Sequence, residues 1–471
     1  MKYITHRLPR FCAYSTVAIL LMHSICSCNF LSVEVPTSSI SEDVVFSDDA
    51  TATAAIAGLY LDMYASNTSF SSGGFSGIST FAGLSSDELK NNMANDPLFL
   101  QFERNEIDPS SSYVLNLWSS MYRAIYQANV IIKRLSSSSK ISGPLQKQLT
   151  GEALFVRAFC HFYLMNSFGE VPLVTSTDYT VNNSLNRSSQ LIINEQIKTD
   201  LITAEELLTD EYPTAGRVRP NKATISAFLA RVYLYEGDWA RAEDRASKVI
   251  TKNGTYSLEK DLGRVFLQNS TEAVWQLKAS DVAYFTNEAF VFNINQGPQY
   301  NVLNDGVIVG YEAGDSRRDN WITTTFSGPR IVYLPYKYKK FDFLTLTNEC
   351  STVIRLAEIY LIRSEARLMQ DKLPDAISDI DSIRHRANLS LIQNTNPGIS
   401  KAELFNQIVE QRRIELMTEW GHRWFDLKRW GAALSVLSPL KKDIVSNDLV
   451  YPVPQKELSN NRNLMPQNVG Y

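Results

Sequence analysis

The sequence predicts a mostly α protein in which paired helices form a scaffold and irregular loop or short β insertions are displayed from it. Three observations predict this fold: segments with apolar residues every three or four positions, two segments that share a helix-turn-helix pattern, and two long stretches without a helical pattern. The chain has 471 residues, of which 44% are hydrophobic, so a large core is expected. The net charge of -4 and the lack of a long basic run argue against a nucleic-acid partner.

The first residues have the pattern of a secretory signal. Lys2, Arg7 and Arg10 form a positive head, and an apolar stretch over residues 11–25 follows it. This stretch is too short to span a membrane as a helix. We therefore expect a signal peptide over residues 1–27.

The signal ends in the letters ICSC, which resemble the lipobox of bacterial lipoproteins with Cys28 as the lipidated residue. Cys26 fits the same frame poorly, and ordinary cleavage with full secretion is the alternative. Residues 28–41 are then a lipid anchor and tether. Cys160 and Cys350 lie in apolar contexts, so we expect buried thiols and no disulfide framework.

Several helices are predicted after the tether. The first begins near Asp48 and runs through Tyr60. Two later segments keep a 3,4 spacing of apolar or small residues, which is typical of helices that bury one face. These stripes are Met121, Ala124, Ala128, Ile131 and Leu135, and then Leu149, Ala153, Val156, Cys160 and Tyr163.

Two segments 134 positions apart share one pattern, at residues 223–249 and 357–383. Each is a helix lined with small residues, a tight polar turn and a second helix. The turns are Gly237-Asp238-Trp239 and Asp371-Lys372-Leu373. The pattern is typical of tetratricopeptide-like repeats, in which small residues let paired helices approach closely. Because the copies are few, we expect helix pairs within a scaffold and not a long solenoid.

Two regions break the helical pattern. Residues 66–110 are rich in Ser, Gly, Asn and Phe, and residues 281–343 carry thirteen aromatic side chains. Loops held on a rigid frame are where binding residues usually lie. We therefore expect a binding surface on these two regions, which we call the first and second loop regions.

Seven motifs occur in order along the chain. They are CNFLSVEVP (28–36), LWSSMYRAIYQANVIIKRL (117–135), GEALFVRAFCHFYLMNSFGEVPLV (151–174), AFLARVYLYEGDWARA (227–242), IRLAEIYLIRSEA (354–366), RRIELMTEWGHRWFDLKRW (412–430) and YPVPQKELSNNRNLMPQNVGY (451–471). With these motifs the chain resembles the SusD/RagB family of surface nutrient-binding lipoproteins of Bacteroidetes over nearly its whole length. One departure is Gln411-Arg412-Arg413, where the family often has Glu-Arg-Arg.

The resemblance implies a mostly α, SusD-like fold with tetratricopeptide-like helix pairs. Residues 42–250 would form a helical amino-terminal region and residues 251–471 a carboxy-terminal region of one intertwined unit. The resemblance also implies attachment to the outer membrane through lipid, facing the cell exterior, and partnership with a SusC-like TonB-dependent transporter. The protein would act as the lid of that barrel and deliver an oligosaccharide, or in some relatives a peptide.

An enzyme is the competing hypothesis, because residues 412–430 contain groups suited to acid/base chemistry. A glycoside hydrolase needs two carboxylates about 5 to 10 Å apart, and Glu415 with Glu419, or His422 with Asp426, meet that spacing on a helix. The same helix is predicted to carry Arg412 and Arg413 among apolar residues. We therefore favour a structural ion network and expect no catalytic residue.

A metal or cofactor site is not predicted. The histidines of the mature chain lie far apart, and no Cys-x-x-Cys or His-Glu-x-x-His motif is present. Asp375, Asp379 and Asp381 fall on a predicted helix without the glycine of a calcium-binding loop, so we expect a solvated helix face. A calcium ion held by scattered loop carboxylates is the alternative.

The candidate ligand-binding residues are aromatic and amide side chains of the two loop regions. Aromatic rings stack on the apolar faces of sugars, amides hydrogen-bond the hydroxyl groups, and a peptide would use the same surface. Trp321 also has a structural interpretation, in which its ring packs behind the turn formed by residues 315–318. The candidates are Tyr284, Phe285, Tyr300, Asn301, Asn304 and Trp321 in the second loop region, and Phe75, Phe81, Asn91 and Asn92 in the first.

Overall fold

The computed structural model describes residues 45–66, 68–92, 97–278, 283–292 and 300–471. The predicted signal peptide, Cys28 and the tether up to residue 41 lie outside these ranges. The chain is mostly helical with short β insertions, which confirms the predicted fold class.

Where the structure describes it, the amino-terminal part is built from helices and one short strand. The first helix begins after Asp48, whose carboxylate accepts a hydrogen bond from the Thr51 amide at 2.8 Å and so satisfies a free N–H group of the first turn. This start confirms the prediction, although the helix continues five residues beyond Tyr60. The elements are α1 (Asp49–Ala65), α2 (Ile78–Ser85), β1 (Leu89–Asn91), α3 (Pro97–Arg104), α4 (Ser112–Ser137), α5 (Gly143–Phe168), α6 (Tyr179–Asn182), α7 (Gln190–Leu207), α8 (Lys222–Glu236) and α9 (Trp239–Ile250).

The carboxy-terminal part mixes short strands with helices. The elements are β2 (Ala273–Leu277), α10 (Asn287–Phe292), β3 (Asn301–Leu303), α11 (Asp305–Val309), α12 (Ser316–Trp321), β4 (Ile322–Ser327), β5 (Arg330–Pro335), β6 (Ser351–Arg355), α13 (Leu356–Met369), α14 (Leu373–Arg386), α15 (Ile392–Thr395), α16 (Lys401–Glu415), α17 (His422–Arg429), α18 (Ala433–Leu437) and α19 (Gln455–Asn460).

Both predicted stripes are buried, one on α4 and the other on α5, and the two long helices pack against each other. Helix α5 is buried along most of its length because α7 covers another of its faces. Its aromatic rings meet Trp275 of β2, with Phe155 at 4.8 Å and Phe159 at 5.2 Å between ring centroids. The centre of the core is therefore a cluster of aromatic rings between helices and a buried strand.

The two predicted helix pairs are present as α8 with α9 and α13 with α14. Gly237 has a φ of +74° and Asp371 a φ of +60°, so both turns use the left-handed conformation at the matching position. Arg231 of α8 binds Glu358 of α13 at 2.7 Å, both fully buried, and joins the two pairs. This ion pair also joins the regions on either side of the predicted boundary at residue 250.

Within the described ranges the strands form three antiparallel pairs: β1 with β3, β2 with β6, and β4 with β5. The β2–β6 pair is buried on both faces. The β4–β5 hairpin projects from the second loop region, and its cross-strand residues Phe326 and Ile331 are exposed. Strands β1 and β3 come from different loop regions, and their pairing brings the two loop regions together.

Candidate functional site

The two loop regions, distant in sequence, meet in one surface. In the β1–β3 pair Leu89 lies opposite Leu303 and Asn91 opposite Asn301. Just beyond the pair, the Asn92 amide donates to the Tyr300 carbonyl oxygen at 2.8 Å. These contacts use backbone atoms, so they fix the position of the loops whatever side chains the loops carry.

A chain of aromatic rings runs across this junction to solvent. Phe75 lies 4.5 Å from Tyr300 and 5.5 Å from Phe290, measured between ring centroids. From Phe290 the contacts continue to Phe285 at 5.8 Å and from Phe285 to Phe343 at 5.2 Å. We call this set the aromatic ladder, and its members are Phe75, Tyr284, Phe285, Phe290, Tyr300, Phe341 and Phe343.

The outer end of the aromatic ladder is strongly exposed. Phe343 is 68% exposed, Leu344 beside it is 90% exposed and Tyr284 is 42% exposed. Folding alone gives no reason to leave large apolar side chains grouped at a surface, and such patches usually mark binding sites. The exposed end is therefore the part of the surface best suited to contact a ligand.

The base of the aromatic ladder is attached to the scaffold by Glu288 and Asn287. The Glu288 carboxylate accepts hydrogen bonds from the hydroxyl groups of Tyr64, at 2.9 Å, and Ser351. The Asn287 side-chain amide donates to the Ser72 carbonyl oxygen at 2.8 Å. Gly73 has a φ of +68°, and a Cβ there would overlap the Glu288 carboxyl group, so only glycine allows this close approach.

Four of the predicted residues come together in the aromatic ladder: Phe75, Tyr284, Phe285 and Tyr300. Asn92 lies at its edge, half-buried, where its side-chain amide donates to the Ser327 hydroxyl group at 3.0 Å and contacts the β4–β5 hairpin. These positions make the residues candidates for ligand contact.

Asn91 and Asn304 occupy different surroundings. The Asn91 backbone amide donates to the Glu103 carboxylate at 3.2 Å. The Asn304 side chain accepts a hydrogen bond from the Gly306 amide at 3.3 Å and caps α11. Asn304 lines a cavity with Glu103 and Lys441 that includes no member of the aromatic ladder.

Phe81, Asn301 and Trp321 are fully buried, which argues against them as ligand contacts. Phe81 lies on α2, whose residues are all buried, and its ring stacks on Phe102 of α3 with 4.2 Å between the ring centroids. Asn301 is covered because β3 lies between β1 and the β4–β5 hairpin. Trp321 ends the helix α12, so residues 316–321 form a helix and not a turn, and its ring packs against Phe266 in the core.

The Trp321 ring lies against buried cations. It is 4.8 Å from the Lys337 ammonium and 5.7 Å from the guanidinium groups of Arg355 and Arg386, measured to the ring centroid. Its indole N–H donates to the Leu262 carbonyl oxygen at 3.1 Å. Such cation–π contacts stabilise a desolvated cation, so this tryptophan supports a charge cluster.

That cluster explains the charged motif at residues 412–430. Glu415 binds Arg355 at 2.6 Å, Arg317 at 3.0 Å and also Arg386. Burial alone would raise the pKa of Glu415, but the charges of the three arginines hold it well below its ordinary value. We call this set the buried ion cluster, and its members are Glu272, Arg317, Lys337, Arg355, Arg386, Glu415 and Glu419.

The predicted ion network is present, but its partners differ from the prediction. Helix α16 ends at Glu415, and the turn that follows has left-handed backbone conformations at Thr418, Trp420 and Gly421. Glu419 therefore does not share the helix with Glu415. The two carboxylates bind the same Arg355 from the helix end and from the turn.

The predicted arginines face other carboxylates. Arg412 binds Asp426 at 2.8 Å, and Arg413 binds Asp87 at 3.1 Å. Gln411, the departure from the family pattern, accepts a hydrogen bond from Arg317 at 2.9 Å. These partners lie elsewhere along the chain, so helical spacing did not reveal them.

The groups considered for acid/base chemistry are all buried within the fold. Glu415, Glu419 and Asp426 are buried in ion pairs with arginine. Burial, together with the charges of Arg231 and Arg412, holds the pKa of His422 well below its ordinary value. A substrate has no access to these groups, which supports the structural interpretation of the motif.

The carboxylates considered for calcium are also used by the fold. Asp379 binds Arg363 at 2.6 Å, and Asp381 accepts from the Ile392 amide at 2.8 Å. Both are buried, so the expected solvated face is wrong at these two positions. In the part of the chain that the structure covers, no group of three His, Cys, Asp or Glu side chains is placed to hold a metal ion. Cys160 and Cys350, within the same part, are buried and not joined in a disulfide.

Sequence reasoning missed three members of the aromatic ladder: Phe290, Phe341 and Phe343. The aromatic density of residues 281–343 was the available signal, since all three residues fall within that range. The density did not show which rings are exposed. That distinction depends on how the loop packs.

A buried carboxyl group links the scaffold to both loop regions and gives a pH-dependent prediction. The Glu88 carboxyl group accepts a hydrogen bond from the Thr418 amide. The backbone carbonyl oxygen of Glu88 accepts another from the Asn304 amide, at 2.8 Å. Burial, with the nearby Asp87 charge, raises the pKa of Glu88 to about 8 from an ordinary 4.5. Between these values the unfolded chain releases a proton that the folded chain retains. The contribution of Glu88 to stability therefore falls as the pH rises, by at most about 1.4 kcal/mol per pH unit.

Glu88→Gln should make the loss of stability between about pH 5 and pH 8 shallower, because glutamine keeps the acceptor but does not ionise. Urea denaturation at several pH values measures the free energy of unfolding of both proteins. Glu106→Gln, at an exposed position, is the control. Its free energy of unfolding should change with pH as that of the wild type does. If the free energy of unfolding had the same dependence on pH in Glu88→Gln and in the wild type, the prediction would be contradicted.

These features define a helical binding protein that displays an aromatic surface. A family model described as "SusD family" matches residues 174–471, well over half of the chain, and one described as "Starch-binding associating with outer membrane" matches residues 29–234. The chain belongs to the SusD family and is a non-catalytic binding protein. This finding confirms the resemblance seen in the motifs.

Individual relatives agree with this assignment. SusD-like protein P2 of Formosa agariphila is 29% identical over 409 residues, which cover 75% of this chain and 80% of that protein. A solved SusD superfamily protein from Bacteroides vulgatus has a TM-score of 0.78 and 24% identity, with 90% of this chain and 100% of that chain covered. A solved laminarin-binding SusD-like protein has a TM-score of 0.74 and 23% identity, with the same coverage. At these identities the two solved structures show the fold alone.

No helix in the ranges that the structure covers is both long enough and apolar enough to cross a membrane.

Proposed function

We propose that the protein captures an oligosaccharide at the aromatic ladder on the bacterial surface and passes it to a SusC-like TonB-dependent transporter, for which it acts as the lid. The observation that carries the proposal is the exposed end of the aromatic ladder, Phe343 with Tyr284, supported on a rigid helical scaffold. The description of the matching family model and the laminarin-binding relative support a glycan as the ligand.

The chemistry of the surface agrees with a sugar. Aromatic rings offer flat apolar faces to the C–H groups of a pyranose, and burial of such a face contributes about 25 cal/mol for each Å² of apolar surface removed from water. The Asn92 side chain, which hydrogen-bonds the Ser327 hydroxyl group at the edge of the aromatic ladder, would contact hydroxyl groups at the rim of a ring. A peptide would use the same rings for its apolar side chains, and a peptide ligand is the second candidate.

The attachment and assembly of the protein form part of the same proposal. Lipidation of Cys28 would hold the mature chain at the outer membrane, with residues 28–41 as the tether. Residues 42–250 and 251–471 would act as two regions of one unit. The helical scaffold away from the aromatic ladder would provide the surface that contacts the transporter.

The test is ligand binding by the chain from Asn29 onward, measured on glycan and peptide arrays. Phe343→Ala should weaken binding of the recognised glycan about tenfold, since one exposed stacking contact is lost. Its melting temperature should stay near that of the wild type because Phe343 is 68% exposed. Tyr300→Ala is expected to weaken binding as well, but it also removes a packing contact with Phe75 and should lower stability.

Tyr179→Ala is the matched control, because Tyr179 is 73% exposed on α6 and its ring contacts no member of the aromatic ladder within the described part of the chain. Its affinity should equal that of the wild type. Equal affinities for Phe343→Ala and wild type would place the site elsewhere. Cleavage of a bound glycan would show that the protein is a hydrolase.

A further inference from the structure

A cavity of about 560 Å³ opens beside the second helix pair. Helices α13 and α14 line it together with the segment after α9, at residues 253–258, and the start of α15. Its size is within the usual range of about 300–1,000 Å³ for small-molecule sites. None of its lining residues belongs to the aromatic ladder or the buried ion cluster. We call it the scaffold cavity, and six polar side chains of its lining are Asn253, Ser257, Tyr360, Ser378, His385 and Gln393.

Hydrogen bonds hold the walls of the scaffold cavity in place. On one side, the buried Asp381 carboxylate of α14 accepts from the backbone amides of Ile392 at 2.8 Å and Gln393 at 2.9 Å. These two bonds hold the start of α15 against α14. On the other side, the hydroxyl group of the buried Tyr256 accepts from the Asn221 side-chain amide at 3.3 Å. The walls are therefore fixed by the fold before any ligand binds.

The fold does not use the six polar side chains of the scaffold cavity. None of them hydrogen-bonds another group within the described ranges, whereas Asn304, Glu103 and Lys441 at the cavity described above all do. Five of the six are exposed, and Tyr360 is half-buried. Hydroxyl groups, amides and neutral imidazole can each both donate and accept. The scaffold cavity therefore brings together groups that are free to bond a ligand in either direction.

Tyr360 gives the scaffold cavity an aromatic ring. The ring and the partly buried Leu258, also in the lining, pack against the same small apolar cluster. The Arg363 guanidinium lies 5.7 Å from the centroid of the Tyr360 ring, and its charge is paired with Asp379 at 2.6 Å. An aromatic ring with hydroxyl and amide groups around it complements a pyranose, which has an apolar C–H face and hydroxyl groups at its rim.

We propose that the scaffold cavity is a second binding site, separate from the aromatic ladder, and that it takes a single sugar unit. Each sugar hydroxyl group both donates and accepts, as the free groups of the lining do. The Asp381 carboxylate is already bound by two backbone amides, so the hydroxyl, amide and imidazole groups make the contacts. Two sites on one chain raise the avidity for a glycan long enough to reach both.

The experiment titrates the chain from Asn29 onward with one-ring probes, the methyl glycosides of glucose, galactose, mannose and xylose, and measures binding by NMR. At least one probe should bind to the wild type. Ser378→Trp should weaken that binding at least about tenfold, because the indole ring occupies the cavity. Ser378 is exposed on α14, so this variant should fold. Gln393→Ala should weaken binding about threefold, because it removes one hydrogen-bonding side chain.

Two controls separate this site from the aromatic ladder. Ser136→Trp, at an exposed serine of α4, should bind the probe as the wild type does. Phe343→Ala should also keep this affinity, although it weakens binding at the aromatic ladder. The inference is overturned if no probe binds, or if Ser378→Trp binds as tightly as Ser136→Trp. A Ser378→Trp protein that binds the sugar normally but no longer binds the transporter would show that the cavity holds a protein partner instead.

Discussion

Glu415→Ala should lower the free energy of unfolding by about 3–5 kcal/mol, because it leaves buried cations without their partner. Glu415 is fully buried and binds Arg317, Arg355 and Arg386. The Lys337 ammonium adds a further charge to the same cluster, and burial already lowers the pKa of Lys337 to about 8. Urea denaturation at neutral pH measures the loss of stability.

Glu410→Ala on the same helix is the control for Glu415→Ala. The Glu410 side chain is 47% exposed and lies 3.6 Å from Arg413, so its removal should cost at most about 1 kcal/mol. At a temperature where both variants are folded, glycan affinity should equal that of the wild type. A stable Glu415→Ala protein that has lost ligand turnover would show that the motif is catalytic.

Cys28→Ala should release the protein from membranes almost completely, because the proposed anchor is a covalent lipid on this one side chain. The basic head, the apolar stretch over 11–25 and the final ICSC letters are the observations behind it. Each buried methylene of an acyl chain contributes about 0.8 kcal/mol to membrane binding, so removal of the lipid abolishes the attachment. Fractionation of cells into membrane and soluble protein measures the change.

The neighbouring cysteine provides a matched control. Cys26→Ala removes a thiol two positions earlier but keeps the small residue Ser27 before Cys28. This variant should remain with the membrane fraction. If Cys28→Ala stayed attached, or if Cys26→Ala were released, the proposed lipidation site would be wrong.

The scaffold was predictable because its signals are local. The stripe from Met121 to Leu135 requires only helical periodicity, and it is buried on α4 as expected. The two helix pairs followed from small residues on either side of the turns at Gly237 and Asp371. Such patterns lie within one or two helices, where spacing along the chain determines which side chains share a face.

The candidate site was only partly predictable because it depends on contacts between distant segments. Composition placed Tyr284 and Phe285 correctly in a loop region, but it did not distinguish them from Trp321, which lies under Lys337 and Arg355. All three are aromatic residues in the same region. What separates them is the position of cations far away in sequence.

The ion partners were unpredictable for the same reason. Glu415 and Glu419 have helical spacing, yet the helix ends between them and they meet at Arg355 of β6. Trp420 has a φ of +48°, and the residue type gives no indication of this left-handed backbone conformation. The turn is held by contacts such as the hydrogen bond between the Trp420 amide and the Ser79 hydroxyl group.

The backbone pairing of β1 with β3 has a consequence for how the protein tolerates change. Because Asn92 and Tyr300 are joined through an amide and a carbonyl oxygen, the register of the loops does not depend on the side chains at positions 284 and 343. A library randomised at those two positions should therefore retain folded members at high frequency. One framework could thus acquire new recognition properties by substitution at a few exposed sites, which makes the chain a suitable starting point for selecting glycan reagents.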